Sequence, residues 1–249
     1  MKILPRSIKA LPLLVVMAAV ACLFAASPRP CFALAISKGL PFYAQDMEFY
    51  YEHRRVEALP GILRTFDAQG VLRDSLKQIM LAAFIGQVLR DDPAARQRIL
   101  PPAPTLSRDG RRTLAWAAHF AQLPDEAALL ANLLQPSDNL LLDQIRRSPS
   151  PVTNWDIYSE KSVLQMYWAA FMASGSNDFL DAIIRAALHY ARLNGEGLRN
   201  DDTFSTSAAA AASLYEFTPR HAAVKKRVEQ FLQKASGPEA ETLRIILRK

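Results

Sequence analysis

Apolar residues recur at three- and four-residue spacing through most of the chain. Leu76, Ile79/Met80, Ala83/Phe84 and Gln87/Val88 keep that rhythm, and Phe179, Leu180, Ile183, Ile184, Ala187 and Tyr190 keep it more cleanly. Residues so spaced share one helix face, and apolar/polar alternation nowhere persists long enough for a sheet, so the pattern predicts an all-α fold. Asp92-Pro93 and Thr218-Pro219 each set a capping side chain before a proline at the first helical position, and Ser236-Gly237-Pro238-Glu239 has the spacing of a capping box. Gly70 and Asn194-Gly195 are natural stops, while Ser174-Gly175-Ser176 ends one helix and caps the next through Ser176 or Asn177. These signals predict about eight or nine helices. Their starts fall near Val56, Arg73, Pro93, Ser107, Pro124, Ser159, Asn177, Ser205, Pro219 and Pro238, the two shortest being turns. The proline-rich runs 100–104 and 148–154 cannot continue a helix and read as rigid connections within one domain spanning residues 56–249. Residues 36–55 lack a clear period and hold Phe42, Tyr43, Phe49, Tyr50 and Tyr51 among Asp46, Glu48 and Glu52; they predict an aromatic arm packed along the first helices.

A faint repeat overlies this rhythm. Ala82-Ala83-Phe84, Ala117-Ala118-His119, Ala169-Ala170-Phe171 and Ala211-Ala212-Ser213 each precede a new helix start, and paired alanines let neighbouring helices approach closely. Four such units resemble the tetratricopeptide-like class of helical-hairpin proteins, over roughly Val71 to Lys234. The intervals are 35, 52 and 42 residues where that class keeps about 34, so the likeness is one of architecture and carries over no binding residues. It implies a short array of helical hairpins wound as a right-handed superhelix; an irregular α-bundle satisfies the same pattern.

The first 35 residues depart from the pattern. Lys2, Arg6 and Lys9 precede a 16-residue apolar run, Leu11–Ala26, and the small residues Ala33 and Ala35 follow. That order predicts a Sec-type bacterial signal peptide cut between Ala35 and Ile36, and so a periplasmic or secreted product. The run is shorter than the roughly 20 residues a spanning helix needs, so membrane contact is expected only in transit. Ala19-Val20-Ala21-Cys22 loosely resembles a lipobox, and lipidation at Cys22 is the alternative. The cut changes the charge, because residues 1–35 hold four basic and no acidic side chains. The whole chain is +6, whereas residues 36–249 carry 26 basic against 24 acidic groups. That balance argues against a nucleic-acid partner. Cys22 and Cys31 both lie before the cut, so the product has neither disulfide nor thiolate chemistry.

Catalytic signatures are sparse. No two of His53, His119, His189 and His221 lie three to five residues apart, which removes a one-helix metal site; no metal and no cofactor is expected. The serines around Gly175 lack the G-x-S-x-G elbow. Dispersed carboxylates remain, and Asp46, Glu48 and Glu52, or Asp156 and Glu160, could serve an envelope hydrolase acting on glycan or peptide. Binding-type side chains concentrate instead at Trp155, Asp156, Tyr158, Tyr167 and Trp168, with Phe171 and the basic pair Arg146-Arg147 nearby. Tyr167, Trp168 and Phe171 have helical spacing and predict core, whereas Trp155 follows a rigid loop and predicts an anchor for a peptide or partner protein. The leading expectation is therefore a non-catalytic, exported interaction module for a protein or peptide in the cell envelope. The hydrolase and a lipid-anchored structural protein are its alternatives.

Overall fold

The computed structural model describes residues 45–101 and 103–248, and among them every regular element is helical. The signal segment, the Ala35/Ile36 cut, Cys22 and the start of the arm lie outside the described residues, as does the side chain of Asp46.

The arm is more regular than its sequence suggests. Two single turns, α1 (Gln45–Glu48) and α2 (Tyr50–His53), end where Arg54 turns left-handed at φ 42°. A 3-10 turn at Val56–Ala58 leads into α3 (Leu59–Ala68), which buries Leu59, Leu63 and Phe66 at helical spacing and stops before Gly70, φ 70°. Asp74 accepts hydrogen bonds from Leu76 N and Lys77 N and so starts α4 (Ser75–Asp91). Asp92 likewise accepts from Ala94 N, opening a 3-10 turn and the short α5 (Arg96–Ile99). Ser107 caps α6 (Arg108–Ala121), and its N–H donates to Asp67 Oδ2 at 2.7 Å, tying that cap to α3.

The expected single helix from Pro124 is two: α7 (Glu126–Leu133) and α8 (Asn139–Arg147). Pro136 cannot carry an internal helical hydrogen bond, and Gln135 with Asp138 closes a reciprocal cap that restarts the chain. Beyond the loop, α9 (Lys161–Ser174) begins two residues later than expected. Its end holds as predicted, with Gly175 left-handed at φ 71° and Ser176 Oγ accepting from Asp178 N to start α10 (Asn177–Gly195). Helix α10 ends at Gly195, as expected, and the left-handed turn follows two residues on at Gly197, φ 75°. After α11 (Phe204–Phe217), Thr218 keeps helical geometry and its N–H bonds Leu214 O, so it closes α11. His221, extended at φ −122°, takes the N-cap place before α12 (Ala222–Leu232) that was expected of Thr218. Ser236 stands at the head of α13 (Gly237–Leu247), but its side chain makes no capping bond.

Packing follows from which helices are apolar all round. From Met80 to Leu89 every residue of α4 is buried, and α4 lies between α6 and α9. Gly86 sets the first of these contacts: a Cβ there would stand 2.8 Å from Phe120 Cβ and 2.9 Å from Ala117 O. The alanines of the repeat serve the same close approach, for Ala82, Ala83, Ala117, Ala118 and Ala170 are wholly buried. Helix α9 then packs on α10, and α10 on α11 and α13. The arm docks across α4 and α9, deeper in the chain than expected, with Tyr50 edge-on to Phe84 at 5.3 Å and Tyr51 against Phe171 at 5.1 Å.

Candidate functional site

The most perturbed ionisable groups lie where the arm meets the α11–α12 turn. His221 Nε2 is 3.1 Å from Glu48 Oε1, and His221 Nδ1 is 3.1 Å from Tyr51 Oη. Arg220 donates to the other Glu48 oxygen and stands 3.6 Å from Glu216. Burial holds the His221 imidazole down to about 4, with the Arg220 charge acting in the same direction and Glu52 against it. Burial pushes the Glu48 carboxyl up, opposed by Arg220 and assisted by Glu216. Burial and the neighbouring Glu52 carboxylate push the Tyr51 phenol well above its usual range. The order tyrosine, imidazole, carboxylate has the form of a proton relay, yet it is sealed. The His221 side chain is 0% exposed, Phe49 stacks on it at 4.7 Å, and Phe217 meets it edge-on at 5.6 Å. With the ring neutral and Glu48 ionised, Nε2–H donates to Glu48 and Tyr51 O–H donates to Nδ1, so both nitrogens are satisfied internally. The cluster is a clamp on the arm.

A second buried carboxylate is also structural. Asp138, with its side chain 1% exposed, accepts from Arg108, Arg112 and the Gln135 N–H. Burial alone would raise its carboxyl; the two guanidinium groups and the backbone N–H hold it down to about 2.

The residues singled out for binding divide between surface and core. Trp155 is half-buried: its Nε1 donates to Pro149 O at 2.7 Å and its ring meets Phe120 edge-on. Asp156 is exposed and accepts from Tyr158 N at 3.0 Å, which folds the loop back on itself. Tyr167 is buried beneath that loop, its Oη 3.0 Å from Trp155 O and 3.2 Å from Thr153 O. Trp168 belongs to the core and donates from Nε1 to Ser213 Oγ at 2.9 Å, with Phe171 beside it. Arg146 and Arg147 are exposed on the last turn of α8.

Sequence reasoning missed what the loop folds onto. Tyr158, half-buried, sets its ring edge-on to His189 of α10 at 5.2 Å. Arg185 and Arg192 stand one turn to either side of His189 on the same helix face. Burial raises the Tyr158 phenol; the Arg192 and Arg185 charges oppose that rise and Asp156 adds to it. Their spacing was readable in the sequence; the loop that closes over them was not. His189 Nε2 is engaged with Thr203 Oγ1 at 2.8 Å.

The chain matches no protein-family model, no curated protein and no solved structure. Among the described residues no group of three or more histidine, cysteine or acidic side chains could hold a metal ion, and no helix is long and apolar enough to cross a membrane.

Proposed function

We propose that this protein is an exported, non-catalytic helical interaction module that binds a peptide or protein partner in the cell envelope. The partner would seat on the ledge of Trp155, Asp156 and Tyr158 over α10. The observation that carries this reading is where hydrogen-bonding capacity is spent. Glu48, His221 and Asp138, buried groups displaced from their ordinary pKa values, are consumed by internal partners and covered. Catalytic acids and bases need access to a substrate, so these groups serve the fold. On the ledge the opposite holds among the described residues: Tyr158 Oη has no hydrogen-bond partner, and no carboxylate lies within ion-pair distance of the exposed Arg185. Adjacent aromatic and guanidinium groups are the side chains that dominate binding surfaces. Helices paired through alanine contacts, on the tetratricopeptide-like plan, would supply a rigid scaffold for it.

Panning a random-peptide display library on the purified protein tests the reading. Enriched peptides should bind the wild type in solution and lose about tenfold or more in affinity to Tyr158→Ala, the cost of a well-placed anchor. A library that yields no peptide sensitive to Tyr158 removes the ledge from consideration. Export is tested by the N-terminus of the protein isolated from the envelope. Ile36 is the expected first residue, and an acylated Cys22 would make the chain lipid-anchored.

A further inference from the structure

We infer that the ledge selects an acidic side chain, presented by an extended peptide and held between Arg185, Tyr158 and Arg192; this deepens the proposed peptide-binding role and rests on it. The register of α10 sets the frame. At 1.5 Å rise per residue, Arg185 lies about 6 Å along the axis from His189, and Arg192 about 4.5 Å on the other side. Tyr158 is edge-on to His189, which lies between Arg185 and Arg192 in the helix register, and both arginine charges act on the Tyr158 phenol. His189 itself is engaged with Thr203.

The charges that face this place decide the ligand. Asp156 already accepts from Tyr158 N, Asp201 accepts from Thr203 N at 2.8 Å, and Glu239 stands 3.6 Å from Arg192. Glu239 is paired with Arg192, Asp156 and Asp201 keep their charge while accepting backbone N–H groups, and Arg185 remains exposed with no ion-pair partner among the described residues. A guanidinium group offers donors only, in a fork that fits a carboxylate, and a phenol O–H adds one more donor. A single carboxylate satisfies that set. A polyphosphate backbone would place successive negative charges against Asp156, Asp201 and Glu239, so a nucleic acid fits less well.

The test uses the full chain and fluorescence anisotropy with fluorescein-labelled, C-terminally amidated nonapeptides, so that the label's charge is common to all and the peptides differ only in their side chains. The first peptide alternates aspartate with leucine; in two others asparagine or lysine replaces aspartate, and a nine-nucleotide DNA strand is the phosphate probe. The aspartate peptide should bind at least tenfold tighter than the asparagine peptide, and more weakly as salt rises. Arg185→Glu should abolish that preference and improve binding of the lysine peptide, while circular dichroism stays unchanged because Arg185 is exposed. Equal binding of the aspartate and asparagine peptides, indifference to Arg185→Glu, or preference for the DNA strand would each overturn the acidic-ligand inference and leave peptide binding standing. If none of the peptides binds, and panning also yields nothing, the binding role fails with it.

Discussion

Glu48 and His221 are 173 positions apart in the chain, yet Oε1 of one and Nε2 of the other stand 3.1 Å apart beneath the ring of Phe49. The pair fastens the arm to the α11–α12 turn. Because His221 also sits at the head of α12, where the helix dipole disfavours a cation, position and burial agree in keeping the ring neutral.

Acid should therefore loosen this clamp. His221 takes a proton near pH 6.5 when unfolded and only near 4 when folded. Between those values the unfolded state binds more protons, so stability falls as pH drops through that window, by up to about 3 kcal/mol for His221 alone. Glu48 acts in the opposite sense: its raised folded pKa means that the folded state takes up a proton first, which offsets part of the loss. Urea unfolding of the wild type should show a shallow decline from pH 6.5 to 4. In Glu48→Gln the offset disappears and the decline should steepen. A steeper slope in the wild type than in the variant would contradict this account.

Gly86→Ala tests the approach of α4 to α6. The new methyl group would meet the Phe120 Cβ and a backbone carbonyl, neither of which can swing away, so the helices must part. Overpacking of this kind costs about 1–3 kcal/mol, more than the roughly 1 kcal/mol that alanine gains over glycine in a helix. A thermal melt should shift down by several degrees. Gly61→Ala, with nothing within 4 Å of its Cβ, is the control and should leave the melt unchanged or raise it.

What was legible in the sequence was local. Helix faces such as Phe179 to Tyr190 and the Gly175-Ser176 joint follow from spacing and backbone chemistry, which neighbouring residues carry. The α7–α8 break was signalled by Pro136 and Asp138, which stand between two leucine-rich stretches. Ser236 has the composition of a capping box without making the bond, because composition does not determine a side-chain rotamer. Pairings between distant segments left no local trace. Glu48 read as one acid among aromatics, and Arg185 and Arg192 were not singled out at all, until the fold brought His221 to one and Tyr158 to the other.

Asp138 should govern a separate acid transition. Its carboxyl is held down to about 2 by Arg108 and Arg112, so it stabilises the fold above the usual carboxylate pKa and loses that contribution as pH falls from about 4 toward 2. Both arginines are partly solvated, which limits the contribution to about 1–2 kcal/mol. Asp138→Asn keeps the size and removes the charge. It should lower stability at pH 7 and flatten the unfolding profile below pH 4, with little change between pH 6.5 and 4, where His221 titrates. A variant that keeps the wild-type profile below pH 4 would show that Asp138 is not the group responsible.

The ledge depends on a residue that no ligand would touch. Tyr167 Oη reaches Trp155 O and Thr153 O from below, so Tyr167→Phe frees two loop carbonyls while leaving the ring in place. One lost hydrogen bond of this kind costs about 1 kcal/mol. The distinguishing effect is local, because the Trp155 indole N–H, now bonded to Pro149 O, lies within the same loop. Its exchange with solvent should quicken in Tyr167→Phe relative to that of the Trp168 indole, which donates to Ser213 in the core. Affinity for the aspartate peptide should fall several-fold in the same variant, whereas Arg185→Glu should abolish the preference for aspartate over asparagine and leave Trp155 exchange unaltered. Together the two variants separate positioning of the ledge from contact with the ligand. If exchange at both indoles rises equally, Tyr167 supports the whole core and has no special hold on the loop.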